Sequence, residues 1–302
     1  MGRIERIILQ VPAVEARSVE AGSALIQYGI AAKTEPKTRI DFDRPFGDRG
    51  TPGVVLSPFW EGRESEVGHA ETVHQIAEDH FTGLSGYAAP DYFVSCIAVG
   101  SRPGESTFYR LEHDGMVMRW GHRNKTQARH RLTFSGGDPR FAEPPNLQVA
   151  PFWEDAPGGV GHAETIVQLS SSEATIASDN GAPNYSASFL ATGTNAGLVA
   201  RNEFAVGETL IRTGIGRDVL QGTPVKEIIL GGWLPPERTL GDGSEFAEPP
   251  VVVVTPFWEG QTGVGHAETI TDISTDYVRT ASGNSGFNYS VSWIAIGPRR
   301  LP

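Results

Sequence analysis

The sequence predicts an all-β chain, built as three tandem six-stranded antiparallel β-sandwiches, and three observations carry that prediction. First, one long sentence of residues is written three times: PFWEGRESEVGHAET…DYFVSCIAVG over 58–100, PFWEDAPGGVGHAET…NYSASFLATG over 151–193, and PFWEGQTGVGHAET…NYSVSWIAIG over 256–297. A single folding unit is therefore used three times. Second, 36 Gly and 21 Pro punctuate 302 residues whose apolar runs are short, which is the texture of an all-β chain with many turns. Third, the tripled closing stretch alternates: Tyr289, Val291, Trp293 and Ala295 share one face, and Ser290, Ser292, Ile294 and Ile296 the other. Both faces carry apolar bulk, so this strand is expected inside, covered by the facing sheet on one side and by a neighbouring unit on the other.

The triplication divides the chain into residues 1–100 (a leader and the first unit), 101–193 (a linker and the second) and 194–302 (a linker and the third). Units of about 100 residues are large enough to bury a core of their own. Each opens on an alternating strand: Leu25–Gly29, Val117–Gly121 and Leu210–Gly214. A second strand follows at Arg39–Phe42, His130–Phe134 and Val225–Leu230. A proline turn (TPG at 51–53, EPP at 143–145 and 248–250) leads into a third, ending in PFW and rich in β-branched and aromatic residues. After a turn, VGHAET is read as the fourth strand, the stretches through Phe81 and Tyr277–Arg279 as the fifth, and the Tyr-led stretch as the sixth.

Outside this grammar lie the leader 1–23, read as an edge strand or an attachment segment, and the linkers 101–115 and 194–208. Each linker is long enough for an extended segment of its own. The third unit also carries an insertion, GGWLPPERTLGDGS at 231–244, read as loop decoration or a contact site.

A net charge of −11 argues against a general nucleic-acid binder. The basic run HRNKTQARHR at 122–131 is read either as a solvated strand edge or as a contact for an anionic glycan. Cys96, the only cysteine, excludes an intrachain disulfide framework and a cysteine zinc site. The start, MGRIERIILQVPAVEA, does not read as a signal peptide, and no apolar run approaches the ~20 residues that span a bilayer. Synthesis in a cytoplasm without membrane insertion is expected, with action outside the cell or on a particle.

The order of elements, the PFWE strand and the closing V-S-W-I-A-I strand resemble the H-type lectin domain, the family of snail agglutinins and of the discoidin C-terminal domain. The third unit looks most like bacterial members with PFWE and NY-x-V-x-W-I-A-I-G. The resemblance implies a six-stranded antiparallel sandwich that assembles in threes, with sugar sites at the seams between protomers. The family's sugar-contacting Arg falls here at Gly68-His69, Gly161-His162 and Gly265-His266. Its Trp-His pair falls where Asn180 and Asn284 stand, and its acidic residue after the opening strand has counterparts in Asp218 and Glu35.

His69, His162 and His266 each stand two residues before Glu71, Glu164 and Glu268, so in a strand both side chains would share a face. The pairs read as hydroxyl-binding pockets, as a metal or anion site around a threefold axis, or as groups that satisfy the PFWE turn. A lone H-x-E lacks the third ligand that zinc requires, so no metal and no cofactor is expected. Trp60, Trp153 and Trp258 read as sugar-stacking platforms or as seam packing. No nucleophile elbow, Cys–His pair or phosphate loop is present, and carboxylates that recur in triplicate suit multivalent binding better than catalysis. The expectation is a non-enzymatic, multivalent protein for cell-surface glycans or polysaccharide, as a homotrimer or an intrachain pseudo-trimer. The alternative is a structural or receptor-binding appendage of a phage-like particle.

Overall fold

The computed structural model describes residues 14–62, 69–101, 109–134, 141–154, 162–195, 203–217, 225–230, 245–260, 266–283 and 288–300. The first unit holds β1 (Arg17–Ala21), β2 (Ala24–Ala32), β3 (Lys37–Asp41), β4 (Gly53–Trp60), β5 (Thr72–Ile76), β6 (His80–Leu84) and β7 (Tyr92–Ser101). The second holds β8 (Tyr109–His113), β9 (Met116–Asn124), β10 (Arg129–Thr133), β11 (Asn146–Trp153), β12 (Thr165–Leu169), β13 (Glu173–Ala177) and β14 (Tyr185–Thr194). The third holds β15 (Glu203–Val206), β16 (Thr209–Arg217), β17 (Val225–Ile229), β18 (Val251–Trp258), β19 (Thr269–Ile273), β20 (Tyr277–Ala281) and β21 (Tyr289–Pro298). The chain is all-β, and no helix among the described residues is long and apolar enough to cross a membrane.

Among the described residues each unit contributes seven strands where the sequence pattern predicts six. The additional ones, β1, β8 and β15, lie in the segments read as leader and linkers. Each forms a hairpin with the opening strand of its unit, antiparallel and in full register. The turn between β8 and β9 is Asp114-Gly115, both at positive φ, the backbone that a two-residue hairpin needs to match strand twist. A second difference concerns VGHAET. Its strand begins only at the final residue, Thr72, Thr165 or Thr269, so His-Ala-Glu forms an extended entry outside the ladder.

The sheets do not follow the boundaries of the units. Three seven-stranded sheets run β1-β2-β7-β4-β19-β20-β17, β3-β6-β5-β11-β14-β9-β8 and β10-β13-β12-β18-β21-β16-β15. Four strands of one unit are thus continued by three strands of another, and the relation is cyclic: first to third, third to second, second to first. The joins are parallel, at Phe59↔Ile270, Phe152↔Val73 and Phe257↔Ile166. Every other strand pair among the described residues is antiparallel. The phenylalanine of each PFWE therefore meets the apolar residue that follows HAET in a different unit.

Just past each join, β5, β12 and β19 carry a bulge at the same place, between Val73 and Gln75, Ile166 and Gln168, and Ile270 and Asp272. The extra residue is left outside its own ladder. Two of these residues serve the join instead. Thr271 O accepts from Gly62 N at 2.9 Å, and Val167 O accepts from Gly260 N at 3.0 Å.

The closing strands β7, β14 and β21 lie inside their sheets, each next to the central strand β4, β11 or β18, and almost every residue is buried. Their serines carry the inter-unit contacts that the two-faced pattern leads one to expect. Ser95 Oγ donates to Val252 O (2.6 Å), Ser188 Oγ accepts from Val54 N (3.0 Å), and Ser292 Oγ accepts from Gln148 Nε2 (3.2 Å). All three serines are fully buried. Ser57 Oγ bonds Val254 O and Val254 N, and Thr255 Oγ1 bonds Gln148 Oε1 and Val149 N. The interface between units is thus a layer of valines laced by hydroxyl-to-backbone hydrogen bonds, each worth about 0.5–1.5 kcal/mol net.

Candidate functional site

The same cluster of side chains is built three times, where PFWE, HAE and the closing-strand tyrosine converge. In the first unit Trp60 packs on His69 with ring centroids 4.9 Å apart, and Tyr92 meets Trp60 edge-on at 5.3 Å. In the second, Trp153, His162 and Tyr185 repeat this at 5.0 and 5.3 Å. In the third, Trp258, His266 and Tyr289 do so at 4.7 and 5.2 Å. Each tryptophan is half-buried, with its indole edge tied down in two copies. Trp153 Nε1 donates to Asn184 Oδ1 (3.0 Å) and Trp258 Nε1 to Asn288 Oδ1 (2.8 Å). The same asparagines donate to Glu154 O and Glu259 O, fixing the turn after PFW.

Beneath the aromatic layer lies the glutamate. Glu71, Glu164 and Glu268 are 2, 2 and 3 % exposed, and each accepts from the hydroxyl of its unit's tyrosine at 2.8, 2.6 and 2.5 Å. In the first two units a serine and a lysine complete the network. Ser85 donates to Glu71 (2.6 Å) and Ser178 to Glu164 (2.8 Å). Lys33 Nζ stands 3.3 Å from Glu71 and donates to Ser85 Oγ and Tyr87 O. Lys125 Nζ stands 3.2 Å from Glu164 and donates to Ser178 Oγ and Asn180 O. Three acceptors around each amine match the three donors of an ammonium. Burial pushes the Glu71 and Glu164 carboxyls up and the Lys33 and Lys125 amines down, and the attraction within each pair opposes both shifts. The tyrosine hydroxyls are pushed far up, by burial first and then by the adjacent carboxylates.

The histidines link the clusters to the joins between units. His69 N donates to Thr269 Oγ1 (3.2 Å), His162 N to Thr72 Oγ1 (3.0 Å) and His266 N to Thr165 Oγ1 (2.8 Å). Within HAET, then, the His N–H is satisfied by another unit's Thr while the Glu turns into its own. This division of partners explains why the segment leaves the strand ladder.

The clusters differ at their mouths. In the first unit Tyr87, 48 % exposed, stands edge-on over His69 at 3.9 Å, and His69 is buried beneath it. The position two residues after the network serine holds Asn180 in the second unit. Asn180 Nδ2 lies 2.5 Å from His162 Nδ1, and His162 stays half-exposed. His266 is likewise half-exposed. Burial lowers the basicity of both His162 and His266, favouring the neutral imidazole.

The structure therefore brings His69 with Glu71, His162 with Glu164 and Asn180, and His266 with Glu268. In each case the carboxylate faces inward and the imidazole lies nearer the mouth. Asp218 and Asn284 lie outside the described residues, as does the insertion 231–244, and Glu35 is exposed on a loop. Among the described residues no group of three or more His, Cys, Asp or Glu is placed to hold a metal ion. Within the basic run, Lys125 is fully buried, whereas Arg129 and Arg131 are exposed. The residues that pattern reading passed over are Lys33, Lys125, Ser85, Ser178 and Tyr87. Their signal was positional: a lysine just after each of the first two opening strands, and a serine at a fixed distance after every HAE.

No protein-family model, no curated protein and no solved structure matches the chain.

Proposed function

We propose that the protein is a multivalent, non-enzymatic carbohydrate-binding protein, H-type-lectin-like in organisation. In this reading its clusters of Trp, His and Tyr beside the joins between units receive sugar rings of cell-surface glycans. The observation that carries the reading is the mouth of the second unit. A half-buried indole lies against a half-exposed neutral imidazole, with the Asn180 amide beside them. An indole offers its face to the C–H side of a pyranose, while the imidazole Nε2–H, with Nδ1 held by the Asn180 amide, offers a donor and the amide Oδ1 an acceptor to its hydroxyls. Glu164 lies too deep to touch a ligand and acts by holding Tyr185 and Lys125 in place. The third unit presents the same Trp258 and His266, and in the first unit Tyr87 turns the mouth into an aromatic surface.

One chain supplies all three units in this proposal, because the strand exchange closes on itself. Two or three weak sites on one rigid body gain avidity on a glycan-coated surface. A glycan array probed with the native protein and with a W153A/W258A variant tests the reading. Each lost indole is expected to weaken binding about tenfold, the equivalent of roughly 1.4 kcal/mol of stacking.

A second reading is a rigid structural or receptor-binding unit of a phage-like particle. The inward engagement of every cluster glutamate favours it, since those groups serve the fold. Absence of binding to every glycan class would leave this reading alone.

A further inference from the structure

The three units differ at one position of the closing strand. Four residues after the cluster tyrosine stand Cys96, Phe189 and Trp293. Each is paired across the ladder with a glycine of the opening strand: Gly29, Gly121 and Gly214. In the third unit the Trp293 ring covers Gly214 so closely that a Cβ there would lie 2.7 Å from Cζ2. In the second, Phe189 meets Phe134 with centroids 6.4 Å apart.

The first unit has a cysteine in place of the ring, and Phe42 is its counterpart of Phe134. Between Cys96 and Phe42 lies a cavity of about 230 Å³, walled also by Tyr28, Gly29, Ile30 and Ile40. Val14 and Ala16 line it too; Val14 O accepts from Ile30 N at 3.1 Å, and a Cβ on Gly29 would lie 3.2 Å from Ala16 Cα. Arg39 and Asp41, exposed and ion-paired at 2.6 Å, mark its solvent side.

We propose that this cavity is a binding site for a small uncharged aromatic molecule of one or two fused rings. The main chain of Val14–Ala16 covers Gly29 itself, and the ligand would lie beside it, in the part of the space next to Cys96 and Phe42 that no ring of the first unit fills. The cavity is open on the side of Glu15, Arg39 and Asp41, and its inner wall is apolar apart from Gln27; an apolar cavity of about 150 Å³ takes up benzene. The larger space here suits an indole-sized ring. The Cys96 thiol is turned to Gly29 O at 3.5 Å, and burial pushes it up to about 12, so it is a neutral wall that reacts only slowly as a nucleophile.

Indole and benzene titrated into the full-length protein test the proposal, with ligand-observed NMR and thermal shift as readouts. Indole is expected to saturate one site per chain and to raise Tm with concentration. C96W and C96F, which restore the sister units' rings, are expected to abolish uptake, and C96A to retain it. Cys96 is the chain's only cysteine, so its alkylation rate is a second readout. With indole at about ten times its Kd, alkylation slows about tenfold, because only the free fraction reacts. No saturable indole uptake by the native protein overturns the proposal. So does a folded C96W or C96F that binds indole as the native protein does.

Discussion

Replacing Lys125 by methionine is the sharpest test of how the clusters are held together. In the native protein Glu164 Oε1 accepts from Tyr185 and Ser178 at 2.6 and 2.8 Å, with Lys125 Nζ at 3.2 Å, and both charged side chains are fully buried. Among the described residues Glu164 Oε2 is buried without a hydrogen-bond partner, and Lys125 is the cation paired with the carboxylate. Removing one partner of a buried pair costs about 3–5 kcal/mol, because the other charge is stranded. For a 302-residue chain unfolding as one unit, that is a fall in Tm of roughly 5–8 °C.

The sign of the pH dependence follows from the carboxyl. Burial already raises Glu164 above its ordinary value of 4.5, and Lys125 pulls it back. Without the lysine it rises further, so the folded variant keeps a proton that the unfolded chain releases. Its stability is then greatest below the unfolded value and declines as pH climbs through the folded one. Urea denaturation at pH 4, 6 and 8 should show the gap between K125M and native protein widening with pH. Adding E164Q to K125M should close most of it at pH 8. A gap below about 1 kcal/mol at pH 7, or one that narrows as pH rises, would refute the picture of a stranded charge.

Other perturbations address the joins and the mouths. T165V removes the acceptor of His266 N–H and should cost about 0.5–1.5 kcal/mol in chemical denaturation, the net worth of a typical hydrogen bond. G214A should destabilise by about 1–3 kcal/mol, since a Cβ meets the rigid Trp293 ring at 2.7 Å; G29A, whose nearest neighbour is 3.2 Å away, should cost less. N184A frees the Trp153 indole edge and the turn carbonyl, which should red-shift tryptophan emission and lower stability by about 1 kcal/mol. Y87N opens the first unit to the form of the second, and in glycan binding it should add strength rather than remove it.

Much of the architecture can be read from the residues because the triplication gives each strand three independent witnesses. The closing strand shows why: with Tyr289, Val291 and Trp293 on one face and Ser292 on the other, its place between a core and a neighbour follows from alternation alone. The hairpin at Asp114-Gly115 was equally legible, since an Asp-Gly between alternating runs is a strong turn signal, but its strand lay in a stretch set aside as a linker. The exchange of strands between units left no such trace. Each join pairs a single residue of each strand and is backed by a His N–H to Thr hydroxyl bond, and a threonine in a strand carries no mark of which backbone it will meet. Nor do spacings reveal that His and Glu of one motif answer to different units. That division depends on where the strand begins, at Thr72, Thr165 and Thr269.

The pairing of β4 with β19 has a bearing on synthesis. Phe59 emerges from the ribosome long before Ile270, its partner across the join, has been translated. Until then the nascent first module presents an open strand edge of valines, the kind of surface that recruits stray strands. Closure falls to the last module made, which must dock on both of its predecessors at once. Any message truncated after the second repeat would thus yield a product with two raw edges, a substrate for chaperones or proteases rather than a smaller working version of the whole.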